Sequence, residues 1–218
     1  MNLKYEKMSK SDYADVRRLI KQAWFSDEEY EKFSKRTIDL YEKGYLYMYL
    51  SELDYCKVVK DGNNVIGFIF GRGKKIKLTT KIFYKIKLFF IGLSLLMTKS
   101  GRRGIKITRI TTKANKYLYK NSSVKPECEL VLFIVDKNYQ GQKIGSTLEK
   151  EFCDYVKSIG KDSLYLYTDT YSNYEYYEHR GYKRTGEIDV DFKIKGEEEY
   201  SKSKYYIYVK EFENENNK

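Results

Sequence analysis

Two residue types are almost missing from this chain. It holds one histidine, His179, and one proline, Pro126. A single histidine excludes metal centres built from several imidazoles. Cysteine is scarce as well. Cys56, Cys128 and Cys153 are far apart, odd in number and form no CxxC pair, which argues against a disulfide framework and a zinc ribbon. The uninterrupted apolar run Leu88–Met97 is too short to span a bilayer. Met1 to Lys10 is polar and mixed in charge, unlike a signal peptide. No metal is expected, and the expected setting is reducing and cytoplasmic.

Acidic residues are missing from one long segment. Residues 71–125 hold 16 Lys and Arg and no Asp or Glu. The formal net charge of +11 therefore arises there, because the rest of the chain carries 26 basic and 31 acidic residues. A uniformly basic nucleic-acid binder has a different distribution, so no specific nucleic-acid contact is expected. What is plentiful is apolar character, 41% over 218 residues. That suffices for one sizeable core, and the chain reads as a single domain, 1–218.

Periodicity outlines the elements. Leu3 to Met8 reads as a strand. Ser9 or Ser11 can cap a helix whose Val16, Leu19, Ile20 and Ala23 share a face. A second helix is predicted from about Asp27 to Lys43, ending at Gly44. Cys56–Lys60 and Val65–Phe70 read as strands joined by the tight turn Asp61-Gly62-Asn63-Asn64. The basic insert follows, mostly apolar from Ile82 to Met97, with basic loops expected at Ser100–Gly104 and Asn121–Pro126. Leu130–Val135 reads as a buried strand. After the polar turn Lys137–Lys143, a helix with Leu148, Phe152 and Val156 on one face runs to Gly160. Leu164–Tyr167 is a strand, and Asn173 can cap a short helix before Gly181. Two strands around the acidic connection Gly196–Glu199 close the chain. The order β-α-α-β-β-insert-β-α-β-α-β-β is that of a mixed α/β fold.

The strand, turn and helix at 130–159 offer chemistry. Backbone N–H groups in the first turn of a helix lack intrahelical acceptors, and the helix dipole makes them attractive to anions. Gly141 and Gly145 would let a pyrophosphate approach the backbone. The spacing is neither that of a P-loop nor that of a dinucleotide fingerprint.

The stretch Val135-Asp136-Lys137-Asn138-Tyr139-Gln140-Gly141-Gln142-Lys143-Ile144-Gly145-Ser146-Thr147-Leu148 resembles the acetyl-CoA motif of the GNAT superfamily, Arg/Gln-x-x-Gly-x-Gly/Ala. Gln140 and Gly145 match its ends, and Lys143 stands at its middle glycine, where an ammonium can reach a phosphate directly. About 30 residues on, Asn173-Tyr174-Glu175-Tyr176-Tyr177-Glu178-His179-Arg180-Gly181-Tyr182 looks like the closing motif of the same superfamily. The resemblance implies a GNAT fold: a mixed, mostly antiparallel twisted sheet whose two central strands splay apart, flanked by helices and here carrying a basic helical insertion.

The resemblance also implies an acetyl-CoA-dependent N-acetyltransferase acting on a primary amine of a small molecule or peptide by direct attack in a ternary complex. Phe133, Ile134 and Val135 would pair with the pantetheine arm. Gln140, Gly141, Gln142, Lys143, Ile144, Gly145 and Ser146 would hold the phosphates, with Asn173 and Tyr177 against the cofactor. Tyr177 matches the tyrosine that protonates the departing thiolate, although with 24 tyrosines in the chain most simply pack. Glu129 is the candidate general base, with Glu127 or a water chain as alternatives. His179 is expected to face solvent. The insert admits two readings: an interfacial helix on anionic lipid through residues 74–103, or a helix that covers the sheet or forms a homodimer seam. The second is preferred, because short apolar helices are more often core elements. The rival to an enzyme is a non-catalytic acyl-CoA-binding module tethered to membrane or nucleic acid through this insert.

Overall fold

The structure is a computed structural model and describes residues 2–24, 34–192 and 202–212. Strand β1 (Leu3–Lys7) leads through a single 3-10 turn, Lys10–Asp12, into α1 (Tyr13–Trp24). Ser9 opens that turn, its N–H donating to Asp12 Oδ2 at 2.8 Å, which satisfies one of the donors a helix start leaves unpaired. Val16, Leu19 and Ile20 are buried along one side of α1, as their spacing requires.

The second helix departs from the sequence pattern. Helix α2 runs Lys35–Leu50, straight through Gly44 instead of stopping there. Leu46 and Leu50 are buried beyond it, and that burial outweighs the ~1 kcal/mol cost of a mid-helix glycine. Ser34 caps α2 by accepting the Thr37 N–H. The first part of the predicted helix, residues 27–33, lies outside the described residues.

Strands β2 (Tyr55–Asp61) and β3 (Asn64–Arg72) form the expected hairpin, with Gly62 at φ +60° in its turn. The basic insert is a pair of helices, α3 (Leu78–Leu96) and α4 (Lys99–Asn121). Residues 100–104 are therefore the first turn of α4 and not a loop. Thr98 caps that turn, its hydroxyl accepting the Gly101 N–H at 2.9 Å. The corner needs Gly101, since a Cβ there would collide with the Leu95 carbonyl. Helix α3 packs on α2 more than on the strands. It buries only Tyr84 and Leu95, so the expected cover over the sheet is narrow and most of its large apolar side chains stay exposed.

The chain continues through β4 (Cys128–Val135), α5 (Ile144–Ser158), β5 (Ser163–Asp169), α6 (Glu175–His179), β6 (Lys183–Asp191) and β7 (Lys202–Glu211). The acidic connection Gly196–Glu199 lies outside the described residues. The seven strands make one sheet in the order β1-β2-β3-β4-β5-β7-β6. Every neighbouring pair is antiparallel except β4 and β5. Helix α5 packs on one face, through Leu148, Phe152 and Val156 against Ile69, Leu130 and Leu164. On the other face α1 and α2 cover Val58, Val65 and Phe68, and α4 backs Tyr165 and Ile207 through Leu118.

The central pair is where this sheet opens. Strands β4 and β5 are paired at only two positions, Cys128↔Leu164 and Glu129↔Tyr165. Beyond them β4 stays with β3 as far as Gly67↔Val135. Phe70 pairs with Leu132 and Gly71 with Leu130, which leaves Val131 as an extra residue, a β-bulge in β4. A bulge bends its strand and raises the local twist, and β4 leaves β5 at this bulge.

Candidate active site

The parted strands leave a backbone edge exposed. Residues 130–135 of β4 have no ladder partner on β5, so their β5-facing N–H and C=O groups are available to another chain-like ligand. Phe133, Ile134 and Val135 are half-buried on this edge. The Tyr176 ring reaches across from α6 to within 5.8 Å of the Phe133 ring centre. An extended polar arm could lie between these walls and pair with β4.

The turn after β4 leads into α5 through a left-handed residue. Lys143 has φ +61°, the only positive φ of a non-glycine among the described residues. Glycine adopts this conformation freely, whereas an L residue costs about 1–2 kcal/mol there. Gly141, at φ +79°, borders open space. Gln140, Gly141, Gln142 and Lys143 are exposed, and Gly145 and Ser146 half-exposed. The Lys143 carbonyl accepts the Ser146 hydroxyl at 2.9 Å and the Thr147 N–H and hydroxyl at 3.0 Å. The first-turn N–H groups of α5 then point outward beside the lysine, a local field that favours an anion.

Two expected contributions take a different form. Ile144 is buried in the core, so only its backbone faces the turn. A Cβ on Gly145 would lie 2.8 Å from Phe133 Cζ. Gly145 therefore lets α5 pack close against β4, and its smallness serves the protein's own packing instead of open approach to a ligand.

Tyr177, the residue of α6 after Tyr176, packs on the core cluster under α5. The ring packs on Tyr176, Tyr182 and Tyr208 at 5.4, 5.5 and 6.3 Å. Its hydroxyl makes no hydrogen bond among the described residues. Burial pushes its pKa well above that of an ordinary phenol, so the group keeps its proton at neutral pH. Asn173 does not cap α6. It is exposed, and the cap position is Tyr174, without a side-chain bond, because the chain already turns there through the Tyr174 N–H to Ser172 carbonyl bond at 2.8 Å. His179 is exposed.

The other side of the opening is acidic. Glu129 is buried. Its neighbours Cys128 and Leu130 face α5, so alternation turns Glu129 to the α2–α4 face. Its Oε2 accepts from Arg72 Nη2 and from the Tyr165 hydroxyl at 3.1 Å. Its Oε1 takes no hydrogen bond from the described residues. The Glu129 charge raises the pKa of Arg72 and adds to the upward shifts of Tyr165, Tyr167 and Tyr49. The side chains around the carboxylate are therefore one guanidinium and neutral phenols. Glu127, the alternative, is exposed and pairs with Lys161.

A second carboxylate, absent from the sequence reading, anchors α6. Glu149 is completely buried, accepting from Arg180 Nε at 2.6 Å and Lys210 Nζ at 2.9 Å. It ties α5 to the end of α6 and to β7. Its position carried a signal, because Glu149 shares the helix face of Phe152, Cys153 and Val156, where an apolar residue is expected. Arg72 was also missed, since no periodicity reveals which residue of β3 meets Glu129.

Glu149→Gln leaves the part-exposed Arg180 and Lys210 without their shared counter-charge. It should lower unfolding stability by ~1 kcal/mol, read as a lower urea midpoint at unchanged m-value. A midpoint equal to that of the parent would show that the ion cluster does not hold α6.

Comparison with known proteins places this geometry. No curated protein matches the sequence. Solved structures match its fold at low identity. The protein PH1933 from Pyrococcus horikoshii OT3 superposes with a TM-score of 0.59 at 17% identity, over 98% of this chain and 100% of that one. An N-acetyltransferase from Staphylococcus aureus Mu50 gives 0.51 at 13%, over 97% and 99%. The NatC complex bound to Gag peptide and CoA gives 0.50 at 13%, over 98% and 100%. The sequence model described as the acetyltransferase (GNAT) family matches residues 14–182, from the first turn of α1 to the tyrosine after α6. The chain belongs to that family.

Proposed function

We propose that the protein is an N-acetyltransferase that moves the acetyl group of acetyl-CoA to a primary amine of a small molecule or peptide by direct attack in a ternary complex. The parting of β4 from β5 carries this reading, because it separates an anion-favouring turn on one side from a buried carboxylate on the other. Family membership supports acetyl-CoA as the donor substrate. The bound peptide and CoA of the NatC relative fit an amine acceptor. One sheet runs through the whole fold, so we read the chain as one acetyltransferase unit. Three unpaired cysteines accord with a cytoplasmic enzyme.

The residues divide the work by position. The turn Gln140–Ser146 would hold the pyrophosphate, with Lys143 supplying a full charge where backbone N–H groups supply partial ones. Residues 133–135 would pair with the pantetheine arm, and Asn173 would lie at the rim. The amine nitrogen must lose a proton to bond the acetyl carbon, and the sulfur must gain one as the thioester breaks. Glu129 Oε1 would take the first proton, directly or through water. Arg72 holds the carboxylate in place through its contact with Oε2. Tyr177, neutral and free of other hydrogen bonds among the described residues, would give the second.

Three substitutions test this assignment with acetyl-CoA, a panel of amines and detection of released thiol. Lys143→Gly relieves the left-handed strain and removes the charge. It should leave thermal stability equal or higher while weakening CoA binding about tenfold by calorimetry. Undiminished CoA affinity would remove Lys143 from the site. Tyr177→Phe deletes a hydroxyl with no internal bond, so the fold should persist and kcat should fall ~10²-fold at near-constant CoA affinity. Wild-type turnover would end its role as proton donor. Glu129→Gln should cut kcat ~10²-fold at near-constant CoA affinity. Turnover equal to that of the parent would move the base elsewhere. CoA binding by the parent without thiol release on any amine would favour the binding-module reading.

A further inference from the structure

We propose that α3 seats this protein on an anionic lipid surface, its outward apolar side among the acyl chains and its lysines among the headgroups. The inference is independent of the acetyltransferase assignment. It reverses the preference drawn from sequence alone, because the structure turns the apolar side of α3 outward.

Helix α3 is apolar on two opposite sides. Tyr84 and Leu95 are buried, and Leu88 and Ile91 half-buried, toward α2 and the core. Leu78, Ile82, Ile86, Phe89, Phe90 and Leu93 are exposed, the two phenylalanines to 64%. At 3.6 residues per turn these six fall within an arc of about 120°, centred opposite the buried side. Met97, at the end of the helix, is 83% exposed. A contiguous apolar surface of this kind on a folded chain marks an interaction site.

The charges around it identify the partner. Lys85 and Lys87 border the arc on either side, and Lys87 lies 4.5 Å from the Phe83 ring centre and 4.8 Å from that of Tyr47. Lys74, Lys75 and Lys77 precede the helix, and Lys99 and Arg102 follow it, all exposed. No acidic residue lies anywhere in 71–125. A second copy docked face to face would oppose this cationic rim with another, and the rim holds no carboxylate to relieve the repulsion. An anionic headgroup layer complements it, and the long lysine stems can lie along the apolar stripe with their ammonium groups at the headgroups. Spanning is ruled out on this helix, since no helix among the described residues is long and apolar enough to cross a membrane. The helix therefore lies in the plane of the interface.

The test is co-sedimentation of the full chain with vesicles of phosphatidylcholine alone and with about 30% phosphatidylglycerol. Binding is expected to the second and not the first. It should fall as salt is raised, since exposed charges are screened beyond ~8 Å at physiological ionic strength. Phe89→Ser with Phe90→Ser should reduce partitioning about tenfold or more at every salt concentration. The melting temperature should stay unchanged, because both side chains are exposed. Lys85→Glu with Lys87→Glu should abolish the salt-sensitive part. Absence of binding to the anionic vesicles, or equal binding to both kinds, overturns the proposal. So does a parent dimer in analytical ultracentrifugation that the double serine variant dissociates, which would assign the face to a second copy.

Discussion

Everything distinctive in this fold depends on β4 choosing one neighbour over the other. It keeps its antiparallel ladder with β3 to the last residue and gives up β5 after two. The single extra residue at Val131 makes the choice structural, because the bulge turns β4 where the parallel ladder would continue. The backbone edge thereby released, the half-buried Phe133, and the approach of Tyr176 from α6 follow from that one divergence. So does the placing of Glu129, which sits at the last paired position and points away from α5.

Two buried carboxylates flank the opening on opposite faces and are managed differently. Glu149 is given two cations and no exposure, an arrangement that fixes α6 in place and leaves the carboxylate little to exchange. Glu129 is given one guanidinium and one phenol on a single oxygen, and its second oxygen has no hydrogen-bond partner among the described residues. A charge held from one side and open on the other suits a group that must meet something from outside. The same chemical group is thus held by two cations on one face and by one cation and one phenol on the other.

Much of this was legible beforehand, and the failures are informative. The order of the elements, the β2–β3 hairpin and the α5 stripe followed from periodicity and turn residues, because each is a local property. Gly44 misled because a glycine inside a helix and one ending it look alike until the burial of Leu46 and Leu50 is known. Ser100–Gly104 misled because small and basic residues read as a loop, whereas here Gly101 serves a helix corner. The motif credited Gly145 with ligand access, whereas a Cβ there would meet Phe133. The partners of Glu129 and Glu149 were beyond reach, since they come from strands and helices whose register no single segment encodes.

The lysines of the insert have a second consequence, colloidal in kind. A helix that turns phenylalanines to water would make the molecule adhesive, and nothing in the apolar stripe itself prevents two molecules from joining there. The unbroken positive charge of the segment opposes that contact by like-charge repulsion. Those cations act as gatekeepers for the exposed stripe, and concentrated electrolyte, which shortens the reach of charge to ~3 Å, takes that guard away.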